Sequence, residues 1–130
     1  MSQKNVQLVQ RVLGHLVATG ELLWDTADPD VEIHDHDTPD QGEYRGHDGL
    51  ARWLEEWSAA WAEWRIELDE FIDAGDSVVI FIRMKAVGRG SGIEIDRPDA
   101  LVYRISDGLI ARIDYFNDRG EALEFAGLEK

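Results

Sequence analysis

A chain of 130 residues, 44% hydrophobic and 31% charged, is long enough to bury one core and too apolar to stay disordered, so a single soluble domain over 1–130 is expected. Its formal net charge of −14 argues against nucleic acid and anionic membranes as partners, because their phosphates would be repelled. The absence of cysteine excludes disulfide staples and thiolate chemistry.

Val6, Val9, Val12, Leu13, Leu16 and Val17 recur at helical spacing, which predicts an amphipathic helix over Gln3–Thr19 that stops at Gly20. A helical turn over Glu21–Asp25 then carries Leu22, Leu23 and Trp24 inward. From Pro29 an extended segment places Val31, Ile33 and Asp35 on one side and Glu32, His34 and His36 on the other. Thr38–Gly46 has loop composition. A second helix follows, in which Leu50, Trp53, Leu54, Trp57 and Trp61 form one stripe and Glu55, Glu56 and Glu63 stay wet.

From Arg65 the period changes to two, and Ala74-Gly75-Asp76 makes a turn. Ser77–Val87 is apolar on both faces, the pattern of a central strand interrupted by Arg83 and Lys85. Gly88–Gly92 is a hairpin loop, Ile93–Ile105 the next strand and Asp107-Gly108 a turn. In the strand Leu109–Asn117, Leu109, Ala111, Ile113 and Tyr115 form an apolar face, with Asn117 on the same parity. Asp118 is placed to cap a last helix, Arg119–Ala126. Helices followed by a meander of long antiparallel strands imply an α+β fold, with helices on one face of a curved sheet. The tryptophan stripe and the apolar strand faces must meet, and the space between them is either filled or a pocket.

A Gly90-Ser91-Gly92 turn would pair Val87 with Ile95, Arg83 with Asp99, Phe81 with Leu101 and Val79 with Tyr103. The Arg83–Asp99 pair then either orients a substrate oxygen or is an internal salt bridge that fixes register. Asp35 is either a desolvated base or a strand-end aspartate in water. Tyr115 donates to a ligand oxygen or is a core tyrosine, and Trp53 and Trp57 line a pocket or fill the core. Phe81, Leu101, Tyr103, Ile113 and Asn117 complete the expected substrate-binding wall. His34 and His36 point away from Asp35, and no HExxH spacing exists, so no metal is expected.

The runs YRGHDGLARWLEEW, RGSGIEI and DGLIARIDYFNDRGEALEFAGL resemble the SnoaL-like polyketide cyclase family, within the nuclear transport factor 2-like superfamily that includes ketosteroid isomerases and limonene epoxide hydrolases. The resemblance implies a cone-shaped α+β barrel with a deep apolar pocket and a homodimer. Against the epoxide hydrolase pattern, Arg83 matches, Lys85 stands where an aspartate is needed, and Tyr115 occupies the position of the last acid. Strand parity sends Asp114 outside with Arg112. Against the isomerase pattern, Asp35 stands about where the base belongs and Asp99 near the second acid, while Val12 replaces a tyrosine.

The implied chemistry is cofactor-independent proton abstraction next to a carbonyl by Asp35 or Asp99, with Arg83 and Tyr115 stabilising the oxyanion. The alternatives are a non-catalytic binder of an apolar metabolite and a scaffold that dimerises through an outer-face patch around Val102 and Phe116. The N-terminus lacks a secretion-signal pattern and no apolar run is long enough to span a bilayer, so a cytoplasmic location is expected.

Overall fold

The computed structural model describes residues 2–36 and 42–128. Helix α1 (Ser2–Thr19) ends where Gly20 takes φ 77°, a left-handed conformation that glycine adopts without strain. A short 3-10 turn, Trp24–Thr26, leads into β1 (Ala27–Asp35). Strand β2 (Gly42–Arg45) lies in the expected Thr38–Gly46 loop, whose part 38–41 is outside the described residues. Helix α2 (Gly46–Ala59) follows directly, and the His47 Nε2–H donates to the Ala27 carbonyl at 3.0 Å, fixing the start of α2 against β1.

Strands β3 (Trp61–Ala74), β4 (Ser77–Gly88), β5 (Glu94–Ser106) and β6 (Leu109–Phe116) precede the short helix α3 (Arg119–Phe125). The Asp118 side chain accepts the Glu121 N–H at 3.1 Å and so caps α3 as its sequence position predicts. The strands form one curved, unclosed sheet in the order β2-β1-β6-β5-β4-β3. Strands β3 to β6 form the antiparallel meander read from the sequence; β1 pairs with β2 antiparallel and joins the meander by running parallel to β6, which the sequence did not indicate.

Helices α1 and α2 cover the inner face of the sheet. Val9, Val12 and Leu13 of α1 and Leu50 of α2 are buried against Ile33, Ile80, Ile82, Leu101 and Ile113. Each fully buried aliphatic side chain of this set contributes about 1.5–3 kcal/mol. Helix α3 covers the outer face, where Val79, Ala100, Val102, Phe116 and Ala122 form a second cluster. The expected exposed patch around Val102 and Phe116 is therefore absent: they are 2% and 5% exposed, because α3 folds back over them.

Three local departures decide where the candidate side chains go. Trp61 opens β3 and is not the last member of the α2 stripe. In the β4–β5 hairpin the Gly88 N–H donates to the Ile93 carbonyl at 2.8 Å, so Arg89 belongs to the loop and Val87 pairs with Glu94. Arg89 is held there by its bonds to the carbonyls of Ala59 (3.0 Å) and Trp61 (2.8 Å), which anchor the loop to the end of α2. The register is thus one residue from the expected one, and a one-residue slip exchanges the faces of a strand. Finally, Ala111 is an extra residue in β6, since Arg104 pairs with Arg112 but Ile105 with Ile110. The bulge turns Ile110 inward together with Ile113, although alternation predicted opposite faces.

Candidate ligand-binding cavity

Between the helices and the inner face lies a cavity of about 70 Å³. Helix α1 and the turn after it contribute Val12, Leu13, Leu16, Leu22, Leu23 and Thr26, and α2 contributes Leu50, Trp53, Leu54 and Trp57. The sheet supplies Ala27, Trp64, Ile66, Ile82, Leu101, Tyr103, Ile110, Ile113 and Tyr115. Trp53, Trp57, Leu101, Tyr103, Ile113 and Tyr115, all expected in the wall, line this space, although Leu101 and Tyr103 pair with Ile80 and Val78 and not with Phe81 and Val79, and the apolar face of β6 does meet the indoles. Among the described residues, no ionisable Asp, Glu, Lys, Arg or His side chain lines this space.

Aromatic rings make up one side of the wall. Tyr115 lies 5.0 Å from Trp57 and 6.3 Å from Trp53, the latter edge-on, and Trp57 meets Trp64 edge-on at 6.3 Å. The Trp64 Nε1–H donates to Ser58 Oγ at 3.0 Å, and the Trp53 Nε1–H donates to Asp35 Oδ2 at 2.8 Å.

That second bond explains Asp35. The carboxylate points inward, as its parity with Val31 and Ile33 predicts, and is 3% exposed. It sits behind the Trp53 indole and does not line the cavity.

Asp99 is also inward and fully buried, but its partner is not Arg83. Arg97, two residues earlier on the same strand, forks onto it with Nε–Oδ1 at 2.6 Å and Nη2–Oδ2 at 2.9 Å. The Tyr115 hydroxyl donates to Asp99 Oδ2. These bonds supply what a buried carboxylate needs to stay in a protein interior. Arg119 reinforces the same corner, donating to the carbonyls of Asp99 (3.3 Å) and Ile82 (2.8 Å) and to Asp69 Oδ2 at 2.7 Å.

Arg83 stands opposite Pro98 on the outer face and bonds Asp96 Oδ1 at 2.6 Å in an exposed pair. Phe81 is also outward, opposite Ala100, with the Arg119 guanidinium 4.7 Å from its ring centre. Both misplacements follow from the one-residue register difference. Asn117 is exposed beyond the end of β6 and is no part of the wall, because the strand stops at Phe116.

The outer face carries a parallel arrangement. Arg112 forks onto buried Asp114 at 2.8 and 3.0 Å, and the His36 Nε2–H donates to Asp114 Oδ1 at 2.8 Å. The bond to Asp114 pushes the Arg112 ionisation up. His34 donates to Glu32 at 3.2 Å, and that bond holds the Glu32 carboxyl below its usual range.

Sequence reasoning missed Arg97 and Arg119. The signal for Arg97 was present: Arg-x-Asp on a strand puts both side chains on one face, and the chain contains it twice, at Arg97–Asp99 and Arg112–Asp114. Arg119 carried no such signal, since its carbonyl partners lie far away in sequence.

Comparison with known proteins agrees with this architecture. An NTF2-like protein of unknown function from Burkholderia pseudomallei superposes with a TM-score of 0.76 at 21% identity, covering 93% of this chain and 95% of that one. A SnoaL-like protein from Jannaschia sp. CCS1 gives 0.74 at 20% identity, with coverages of 96% and 92%. TerC, co-crystallised with polyporic acid, gives 0.73 at 20% identity, with coverages of 95% and 98%. At these identities the likeness is one of fold. No curated protein matches the chain by sequence. The family model of the SnoaL-like domain matches residues 19–113, from the end of α1 to the middle of β6. With its two helices over a curved sheet and an apolar interior, the chain belongs to the SnoaL-like domain family.

Proposed function

We propose that this protein binds a small, largely apolar molecule in the cavity between its helices and sheet. One observation carries the reading: the wall is aliphatic and aromatic, and both inward carboxylates stand behind it in bonds to Trp53, Arg97 and Tyr115. A proton-abstracting enzyme needs a base within hydrogen-bond reach of its substrate, whereas a binding pocket needs none. The volume limits the occupant. About 70 Å³ is well under the roughly 300–1,000 Å³ of drug-sized sites, and about half of an engineered cavity that takes benzene. The space as it stands holds less than one ring, so a one-ring guest enters as the wall side chains shift outward, or one end of a larger molecule reaches in past Leu22 and Leu54.

The test is saturable binding of toluene to the wild type and to Ala27→Leu, whose added side chain fills the cavity. The reading expects a 1:1 complex with the wild type and at least tenfold weaker binding by the variant. No saturable binding to the folded wild type overturns it.

A catalytic reading rests on a different observation, the hydrogen bond from Tyr115 to Asp99. Through it a substrate proton passes to the Tyr115 oxygen as the phenol proton passes to Asp99, so that Asp99 acts without touching the substrate. Asp99→Asn and Tyr115→Phe would then both abolish turnover of a substrate found by screening, while Asp35→Asn would not.

A further inference from the structure

The chain has three tyrosines. Tyr115 donates to Asp99 and Tyr44 to Glu56 at 2.6 Å. Tyr103 differs. It is 6% exposed, lies on β5 opposite Ile113 and Val78, and lines the cavity. Among the described residues nothing hydrogen-bonds to its hydroxyl, and burial alone pushes its ionisation up. Phenylalanine would build the same wall, so the hydroxyl adds nothing to the packing of the empty protein and is left to pair with what enters the cavity.

We propose that Tyr103 reads the polar atom of the ligand, and that the ligand is an uncharged molecule with one hydroxyl or carbonyl oxygen on a small apolar body. This rests on the binding reading above. No ionisable Asp, Glu, Lys, Arg or His side chain of the described residues lines the cavity, so an anionic ligand would lose its hydration without gaining a counter-charge. The cavity shares Leu22 and Leu54 with a surface depression that carries Glu21 and Glu55, which repel anions at its mouth. An ammonium ligand would meet indole faces, but would leave the phenol proton of Tyr103 without an acceptor.

Toluene and phenol are a matched pair, with a methyl in one where the other has a hydroxyl. Calorimetric titration of wild type and Tyr103→Phe with toluene, phenol, benzoate and benzylammonium tests the assignment. The wild type is expected to bind phenol about tenfold more tightly than toluene, the worth of one net hydrogen bond. Tyr103→Phe should bind toluene as well as the wild type does, show no preference for phenol, and resist urea at least as well as the wild type. A phenol preference that survives Tyr103→Phe, a wild type without the preference, or tighter binding of benzoate or benzylammonium overturns the proposal. If toluene binds without a phenol preference, only the Tyr103 assignment falls; if neither toluene nor phenol binds, the cavity reading falls with it.

Discussion

Tyr115 donates its hydroxyl proton to Asp99, and Arg97 forks onto the same carboxylate. That bond sets the polarity of the wall: a phenol already donating to a carboxylate offers a ligand its oxygen, not its proton. A role for Tyr115 as an oxyanion donor would require breaking this bond first.

Removing the charge of Asp99 should be felt in stability. Breaking a buried ion pair costs about 3–5 kcal/mol when both partners are buried, and Arg97 is 31% exposed, which reduces the expected loss for Asp99→Asn to about 2–3 kcal/mol. Urea unfolding measures it. A loss under about 0.5 kcal/mol would mean that the Arg97 fork does not hold this corner.

Arg83→Ala should do little. Its partner Asp96 is 54% exposed and Arg83 itself 41%, and such pairs are worth about 0–1 kcal/mol. Stability should change by about 0.5 kcal/mol or less and toluene binding not at all. A loss of binding would return Arg83 to the site.

Trp53→Phe removes the indole donor to Asp35. A hydrogen bond to a charged group contributes about 1.5–3 kcal/mol, so a loss near 2 kcal/mol is expected by urea unfolding. Asp35→Asn keeps an acceptor oxygen and should lose less. The reverse order of the two would contradict the bond.

Alkaline pH supplies a prediction with a definite sign. Burial raises the ionisation of Tyr103 above the usual phenol value of 10.0. That of Tyr44 is pushed up to about 12, by burial first and then by its bond to Glu56. The unfolded chain therefore releases these protons first, and stability that is complete below pH 10 falls as pH rises beyond it. Tyr103→Phe should flatten the decline in unfolding free energy above pH 10, and a decline as steep as in the wild type would contradict burial of the phenol.

Much of the fold was legible because alternation and helical spacing are local. Helical spacing in α1 and alternation in β6 put Val12, Ile113 and Tyr115 where they are, and Asp35 points inward by the same rule, whereas β4 is apolar on both faces and alternation does not tell Ile82 from Phe81. What failed depends on contacts distant in sequence. The β4–β5 register hangs on Arg89 reaching the carbonyls of Ala59 and Trp61, and that one residue decides whether Arg83 or Ile82 faces Asp99. The bulge at Ala111, which turns Ile110 inward, leaves no mark in the alternation. The parallel pairing of β1 with β6 is likewise a tertiary choice.

Self-association through the outer face belongs to the binding reading as a separate proposal. It would use the surface beside α3, where Phe125 is 46% exposed, and not the buried Val102 and Phe116. Sedimentation velocity of Phe125→Glu against the wild type tests it: a dimer that the variant loses supports the proposal, and a monomeric wild type ends it.

The central claim is that the interior takes a small apolar guest. Methyl NMR during a toluene titration tests it most directly. The account expects saturable shifts at Ile66, Ile82, Leu101 and Ile113, which line the cavity, with Val79 and Val102 on the outer face unmoved. Shifts confined to Val79 and Val102, or none that saturate, would contradict it.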